Sequence, residues 1–302
     1  MGRINRRNMF KVLGIGVASA VAGHLYFNNE SKEPAPVREG KVLCDFHAHP
    51  THKESVDTIV ERLSSPCLVG LTVKDIDASG TAVLRYEQAL DLLPKGSFYE
   101  TDKGRVAKMG QGYFARTQEI QVGKHHLLVL GWEGKDYFPN MENIDEAVRK
   151  IHEKKGIAVL NHPFALVIGQ NVRMPNSDEE RGEIRHAYGC VDEVETKNAY
   201  CIKLVPGIID MQPANHNAEQ LRRDEFPHFN GMEASDCHRR WSQIKIVGNY
   251  IPQAVVESGM DGIKSAIKTR NFERLGDSGP YISRGSFTLG MGRDIITSLF
   301  GI

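Results

Sequence analysis

Histidine and carboxylate side chains recur along this chain in short groups whose spacing suits metal binding. The stretch CDFHAHPTH, Cys44 to His52, holds three histidines and an aspartate in nine residues. His47 and His49 are two apart. Side chains alternate faces along a strand, so both rings point the same way, and Asp45 joins them if the strand continues to it. The same spacing returns in SDCH, where Asp236 and His238 are two apart. His162 follows the apolar run GIAVL and precedes Pro163, which ends a strand. Glu119 and His126 bracket the strand segment EIQVGKHHLL. Mixed nitrogen and oxygen ligands suit zinc, manganese or iron rather than calcium. A shared carboxylate can bridge two such ions, as in many phosphate-cleaving enzymes. A single histidine such as His24, His186 or His228 reads as structural or solvated. HxH alone is a moderate signal; HxH, then strand-HP, then SDxH is much more specific.

Such residues act together only if the fold gathers them. KVLCDF, CLVGLTV, HHLLVLGW, GIAVLNH and DEVET read as strands. SVDTIVERLSS, Tyr86 to Leu92, MENIDEAVRKIHEKK, NHNAEQLRRDEF and MDGIKSAIKTR read as helices. Their alternation predicts a largely parallel sheet with helices outside it. In a parallel barrel or open sheet the strand ends converge on one face, where active sites are built. Within Gly80 to Gln118, a Gly- and Lys-rich stretch after the helix reads as a loop over the site.

Bulk composition narrows the classes. Lys plus Arg and Asp plus Glu are 38 each, so the net charge is zero and no global field draws the chain to nucleic acid. Hydrophobic residues at 40% and charged residues at 25% fit a soluble globular protein with a sizeable core. The five cysteines lack CxxC spacing, against a zinc knuckle or a disulfide scaffold. Buried or free thiols are expected, with a Cys190–Cys201 bridge as the alternative.

At the N-terminus, Arg3, Arg6 and Arg7 precede an apolar run, Val12 to Ala22. That run is shorter than the about 20 apolar residues needed to span a bilayer. Ala20-Val21-Ala22 offers a cleavage site, and NRRNMFK resembles a twin-arginine export signal. The expected organisation is a signal peptide over 1–22, a linker over 23–40, a folded unit over 41–275 and a tail over 276–302. Export, or anchoring through an uncleaved N-terminus, is the expected location, with the cytoplasm as the alternative. Any membrane contact would come through this segment alone.

The ordered motifs resemble the polymerase and histidinol phosphatase (PHP) family over about Val42 to Arg270. DFHAHP looks like its DxHxH, NHPF like its HP motif, ASDCH like its closing SDxH, and VETKNAY like the strand before that motif. EIQVGKHHLLVLG resembles the bridging glutamate and following ligand histidine, with Glu133 and His125 as competitors for Glu119 and His126. The resemblance implies a distorted (β/α)7 barrel whose metal ligands are His47, His49, Glu119, His126, His162, Asp236 and His238. It implies two divalent ions, with three as the alternative, drawn from Zn, Mn or Fe. The implied reaction is hydrolysis of a phosphate ester, taken as a small molecule, by a metal-activated hydroxide. Asp236 and His238 would act in catalysis, and Arg239, Arg240 and Lys197 would clamp phosphate. The sequence departs from the family at its second motif, TDH. Here GLTVKDID has Val73 and Lys74 where Asp and His are expected, which puts the third ion in question. Asp75 or His52 could substitute, or Lys74 could supply a fixed positive charge. Two rival readings remain. One is an amidohydrolase-like enzyme using Lys74 as a carbamylated bridge; the other is a non-catalytic metal-binding homologue.

Overall fold

The computed structural model describes residues 35–74, 82–168, 171–199, 203–205, 209–210, 212–238, 244 and 247–276. The expected signal peptide, Asp75, Cys201, Arg239, Arg240 and the tail from 277 onward lie outside these residues. In chain order the strands are β1 (Lys41–Ala48), β2 (Cys67–Val73), β3 (Tyr99–Glu100), β4 (Val106–Met109), β5 (Gly112–Val122), β6 (His125–Leu130), β7 (Ile157–Asn161), β8 (Leu166–Ile168), β9 (Asn171–Arg173), β10 (Glu193–Asn198), β11 (Lys203–Val205), β12 (Ile209–Asp210), β13 (Met232–Ala234), β14 (Asn249–Pro252) and β15 (Glu273–Arg274). The helices are α1 (Lys53–Arg62), α2 (Tyr86–Asp91), α3 (Ile144–Glu153), α4 (Asp178–Cys190), α5 (Gln212–Glu225), α6 (Gln253–Glu257) and α7 (Met260–Lys268). None of these helices is long and apolar enough to cross a membrane.

The strands β1, β2, β5, β6, β7, β10 and β13 lie side by side in that order in one sheet. A parallel bridge from Ala48 to Cys237 returns the last of them to the first. The side chain of Asn249 spans the same seam. It accepts from the Glu233 N–H at 3.1 Å and donates to the Glu233 carbonyl at 2.9 Å. The sheet is thereby nearly closed, a distorted (β/α)7 barrel as expected. Neighbouring staves are parallel except at β6, which runs antiparallel to both β5 and β7.

Two sequence expectations need correction. EIQVGKHHLL is not one strand. It folds into a β5–β6 hairpin about Gly123 and Lys124, where Gly123 takes φ +57°, the left-handed backbone that a two-residue hairpin asks of its first central residue. The Gly- and Lys-rich stretch before Gln118 is not simply a loop. It pairs antiparallel as β3–β4–β5, with Val106 and Ala107 of β4 and Tyr113, Phe114 and Ala115 of β5 buried in succession.

Helix α3 illustrates how the outer layer forms. The Asn143 side chain caps it by accepting the Glu146 N–H at 2.9 Å. Ile144, Ala147, Val148 and Ile151, at helical spacing, are buried against Val129, Ala158 and Leu160 on the outside of the sheet. Burying each such aliphatic side chain contributes roughly 1.5–3 kcal/mol. Leu90 of α2 and Val56 and Ile59 of α1 pack in the same way on Val69 and Leu71 of β2. Residues 35–40, at the end of the expected linker, pack on β14, with the Arg38 guanidinium 4.0 Å from the Tyr250 ring centre.

The barrel interior is apolar at one end. Phe46, Leu68, Ala115, Leu128, Leu130, Ile157, Val159 and Met232 form a layer that Met260, Ile263 and Ile267 of α7 close off. Above it the hydroxyls of Thr72 and Thr117 meet at 2.8 Å. Beyond them the interior is lined by ionisable groups.

Candidate metal centre

The interior face of each stave can be followed upward by twos. On β2 it runs Leu68, Gly70, Thr72 and then Lys74. On β5 it runs Ala115, Thr117 and Glu119, and on β7 Ile157, Val159 and Asn161. These parallel strands carry their polar residues at their C-terminal ends. Strand β6 runs the other way, so its polar interior residue is at its start, His126, followed by Leu128 and Leu130. The antiparallel hairpin therefore delivers His126 to the same rim as Glu119.

Strand β1 departs from this alternation. Its register with β2 shifts between Asp45 and Ala48, so Phe46 fills the apolar layer while His47 also turns inward. The adjoining Gly70 has room for no side chain: a Cβ there would lie 2.2 Å from the Phe46 carbonyl oxygen. Asp45 braces the bulge. Its Oδ1 accepts the N–H groups of His47 at 3.3 Å and of Ser235 at 3.1 Å, so it holds the backbone that carries His47 rather than an imidazole ring. Burial raises the Asp45 pKa to about 6, despite the hydrogen bonds from Ser235 and His47.

His47 and His49 are fully buried. His47 Nδ1 lies 3.2 Å from Glu195 Oε1, and His47 Nε2 lies 3.3 Å from both Glu119 Oε1 and Asp236 Oδ1. His49 Nδ1 donates to the Thr72 carbonyl at 2.8 Å, which leaves Nε2 facing Glu119 Oε2 and Asp236 Oδ1 at 3.4 Å. Glu119 Oε1 also lies 2.8 Å from His126 Nδ1 and 3.5 Å from His162 Nε2. His238 Nε2 lies 3.1 Å from Asp236 Oδ1. All seven sequence-predicted ligands are thus brought to one rim. They form three overlapping groups: His47/His49/Glu119, Glu119/His126/His162 and His49/Asp236/His238.

Two of these residues hold rare backbone conformations, His162 at φ +27° and Asp236 at φ +49°. Such strain costs about 1–3 kcal/mol and needs local support. Glu195 Oε2 supplies it by accepting the His162 N–H at 2.9 Å and the Asn198 amide at 2.8 Å. Asn198 in turn donates to Asp236 Oδ2 at 3.1 Å.

The charges interlock. Burial alone would lower the His47 pKa, but the Asp236 and Glu119 carboxylates outweigh it and hold His47 well above the ordinary histidine range. Burial would raise Glu119 and Asp236. For Glu119 the His126, Lys74 and His47 charges prevail, and for Asp236 the His47 charge with the close approach of the His238 and His49 rings, so both sit well below the usual carboxylate range. Burial, then the Lys74 and His49 charges, push His238 down to about 3.

The donor set fits a divalent cation. His49 Nε2 and Asp236 Oδ1 are buried without a hydrogen bond, and His126 Nδ1 approaches Glu119 without hydrogen-bond alignment. Buried polar atoms are rarely left so. Imidazole nitrogens mixed with carboxylate oxygens suit zinc, manganese or iron.

Other expectations fall differently. His52 starts helix α1, its side chain 56% exposed and its Nδ1 2.6 Å from Thr51 Oγ1, so it does not replace a ligand of the rim. Glu133 pairs with Lys155 at the surface at 3.0 Å. His125 faces away from His126 and is held by burial down to about 4. Lys197 is turned from the rim: its Nζ donates to the Gly276 carbonyl at 2.7 Å and pairs with Glu233 at 3.9 Å. Cys190 is a free thiol hydrogen-bonded to Asp145, which also pairs with the exposed His186 at 2.9 Å. Sequence reasoning missed Glu195, Asn161 and Asn198 as parts of the centre. Their signal was weak: polar residues at inward parity in short strands.

No family model matches the chain, and no curated protein matches it. Among solved structures, it is similar to a two-domain protein from Bacteroides vulgatus containing a predicted PHP-like metal-dependent phosphoesterase. Identity is 16%, the TM-score is 0.46, and the match covers 80% of this chain and 68% of that one. It is also similar to the lesion-specific endonuclease Q of Pyrococcus furiosus, with 13% identity, a TM-score of 0.46, and coverage of 78% of this chain and 57% of that one. An endonuclease Q complex with a duplex carrying an abasic lesion matches at 16% identity and a TM-score of 0.35, covering 53% of this chain and 43% of that one.

Proposed function

We propose that this chain is a metal-dependent hydrolase of the PHP kind that cleaves a phosphate ester. The observation that carries the reading is the convergence of His47, His49, His126, His162, His238, Glu119 and Asp236 at one barrel rim, with ring nitrogens buried and unsatisfied. In this reading His47, His49, Glu119 and Asp236 hold one divalent ion, and Glu119, His126 and His162 a second. Ions so held supply Lewis acidity, which acidifies water and neutralises charge on phosphoryl oxygens. The protein's own groups do the rest. Glu195 and Thr72 fix which nitrogen each of His47 and His49 presents. His238, kept neutral by burial and by the neighbouring Lys74, carries no extra proton to give a leaving group at neutral pH and is too weakly basic to take one from water, so it orients the Asp236 side of the centre rather than transferring a proton. Arg239 and Arg240 directly follow His238 and complete the proposal as phosphate contacts. Lys197 is not part of it.

The amidohydrolase-like alternative would make Lys74 a bridging carbamate. The Lys74 ammonium instead pairs with Glu119 Oε2 at 3.2 Å, where a second anion would be repelled, and Glu119 already stands between two ligand groups. The test uses the full chain: bound metal is measured, then hydrolysis of an aryl phosphate, a phosphodiester, DNA and a set of amides and lactones with Mn or Zn. Phosphoester turnover that chelation abolishes and metal restores is expected. Turnover of amides or lactones alone, or phosphoester turnover indifferent to chelation, refutes the reading.

A further inference from the structure

Lys74 sits where a cation is wanted. Its Nζ lies 3.2 Å from Glu119 Oε2 and 3.4 Å from His238 Nε2. Those two atoms belong to different ligand groups, since Glu119 serves the two groups at one side of the rim and His238 serves the third, His49/Asp236/His238. A metal ion in the third group would need the lone pair of His238 Nε2, and an imidazole nitrogen has only one. The ammonium is already directed at that nitrogen. It would also repel a dication placed beside it, in surroundings where charge is poorly screened.

The position is fixed by the sheet. Lys74 directly follows β2, whose pairing with β5 sets Thr72 against Thr117 and Val73 against Gln118. Continuing that register puts Lys74 opposite Glu119 on the interior face. Its side chain is only 15% exposed, so this is not a surface lysine swinging into a crowded rim.

We propose that Lys74 acts as a built-in cation that takes the place of an ion in the His49/Asp236/His238 group, so that the centre carries two metal ions rather than three. The inference rests on the metal-hydrolase reading. It makes Lys74 a positioning residue: the positive charge on this side of the centre is single and covalently attached, and chelation cannot remove it.

The experiment counts ions. The full-length chain is saturated with Mn or Zn, freed of excess metal, and measured by elemental analysis and native mass spectrometry. It is compared with Lys74→His and Lys74→Gln, whose folding is checked by circular dichroism. Two ions per wild-type chain and a third, more weakly held ion in both variants are expected. Three ions in the wild type, or two in folded Lys74→His and Lys74→Gln, overturn the proposal while leaving the metal-hydrolase reading intact. A wild-type chain that binds no ion removes that reading and this inference with it. Should the variants fail to fold, anomalous diffraction from wild-type crystals soaked in the same metal decides: a peak between His49, Asp236 and His238 refutes the proposal, and peaks confined to the other two groups support it.

Discussion

Replacing Glu195 by glutamine tests how the fold selects the ligand atom of His47. Glu195 Oε2 receives two donors, the His162 N–H at 2.9 Å and the Asn198 amide at 2.8 Å, while Oε1 faces His47 Nδ1 at 3.2 Å. A glutamine must therefore keep its carbonyl oxygen at the Oε2 position and turn its NH2 toward His47. The ring then has to accept at Nδ1 and carry its proton on Nε2. That nitrogen points at Glu119 and Asp236, both 3.3 Å away, so the proton has acceptors, but Nε2 can no longer bind a metal. Disturbing such an orienting group weakens metal affinity about 10–100-fold, or about 1.4–2.7 kcal/mol. The assay is competition against a chromogenic chelator, with thermal melting of the metal-free protein as the control. The support of His162 and Asn198 survives, so the metal-free melting temperature should change little. A variant that binds metal within twofold of wild type would refute the argument. So would one whose metal-free form is broadly destabilised.

Two further predictions concern protons. His47 is held protonated well above the ordinary histidine range because the Asp236 and Glu119 carboxylates outweigh its burial, and a metal needs its unprotonated nitrogen. Metal binding at neutral pH should therefore release at least one proton, with affinity rising by up to about tenfold per pH unit for each proton released; calorimetric heats that do not vary with buffer ionisation enthalpy would count against it. Asp45 has a folded pKa of about 6 against an ordinary 3.8, so between those values the folded state binds more protons and its stability falls as pH rises. At about 1.4 kcal/mol per pH unit this amounts to about 3 kcal/mol for the metal-free protein. The amide oxygen introduced by Asp45→Asn can still accept the two backbone N–H groups, but it does not titrate. Urea unfolding at pH 4 and pH 7 should then show the variant gaining relative to wild type as pH rises; parallel profiles for the two proteins would exclude this account.

Much of the barrel was legible because its strands are short apolar runs bounded by turn residues, and CLVGLTV became β2 residue for residue. The ligand motifs stood out because they sit where those runs end. The β5–β6 hairpin was hidden because its turn, Val-Gly-Lys-His, lacks the Asn-Gly or Asp-Gly signature, and the apolar pattern continues on both sides of it. In EIQVGKHHLL only Gly123, at the first central position of the turn, signals that His126 reaches the rim from a reversed strand. Glu195 was hidden in DEVETKN for a different reason. Its neighbours are charged as well, and parity alone does not say which of Glu193, Glu195 and Lys197 reaches the centre.

Lys197 and Asp45 share one physical cause for their unexpected positions. A period-two reading puts Glu195 and Lys197 on one face, and Asp45 with His47 and His49. In both strands the register shifts within that span, between Glu195 and Lys197 on β10 and between Asp45 and Ala48 on β1. After the first shift Asn198, not Lys197, meets Asp236, and Lys197 turns to Gly276 and Glu233. After the second, Phe46 and His47 both serve the interior, one in the apolar layer and one in the centre, and Asp45 is left to brace the bulge. Bulges re-aim side chains at the ends of strands and concentrate beside active sites. Here they allow a narrow barrel to present more inward groups at its rim than strict alternation permits. The rim combines two bulges with left-handed residues at His162 and Asp236, all tied together by Glu195, Asn198 and Asp45. The polar residues of highest structural consequence are therefore those that hold the ligands' backbone, and a sequence pattern reads side-chain faces better than it reads such supports.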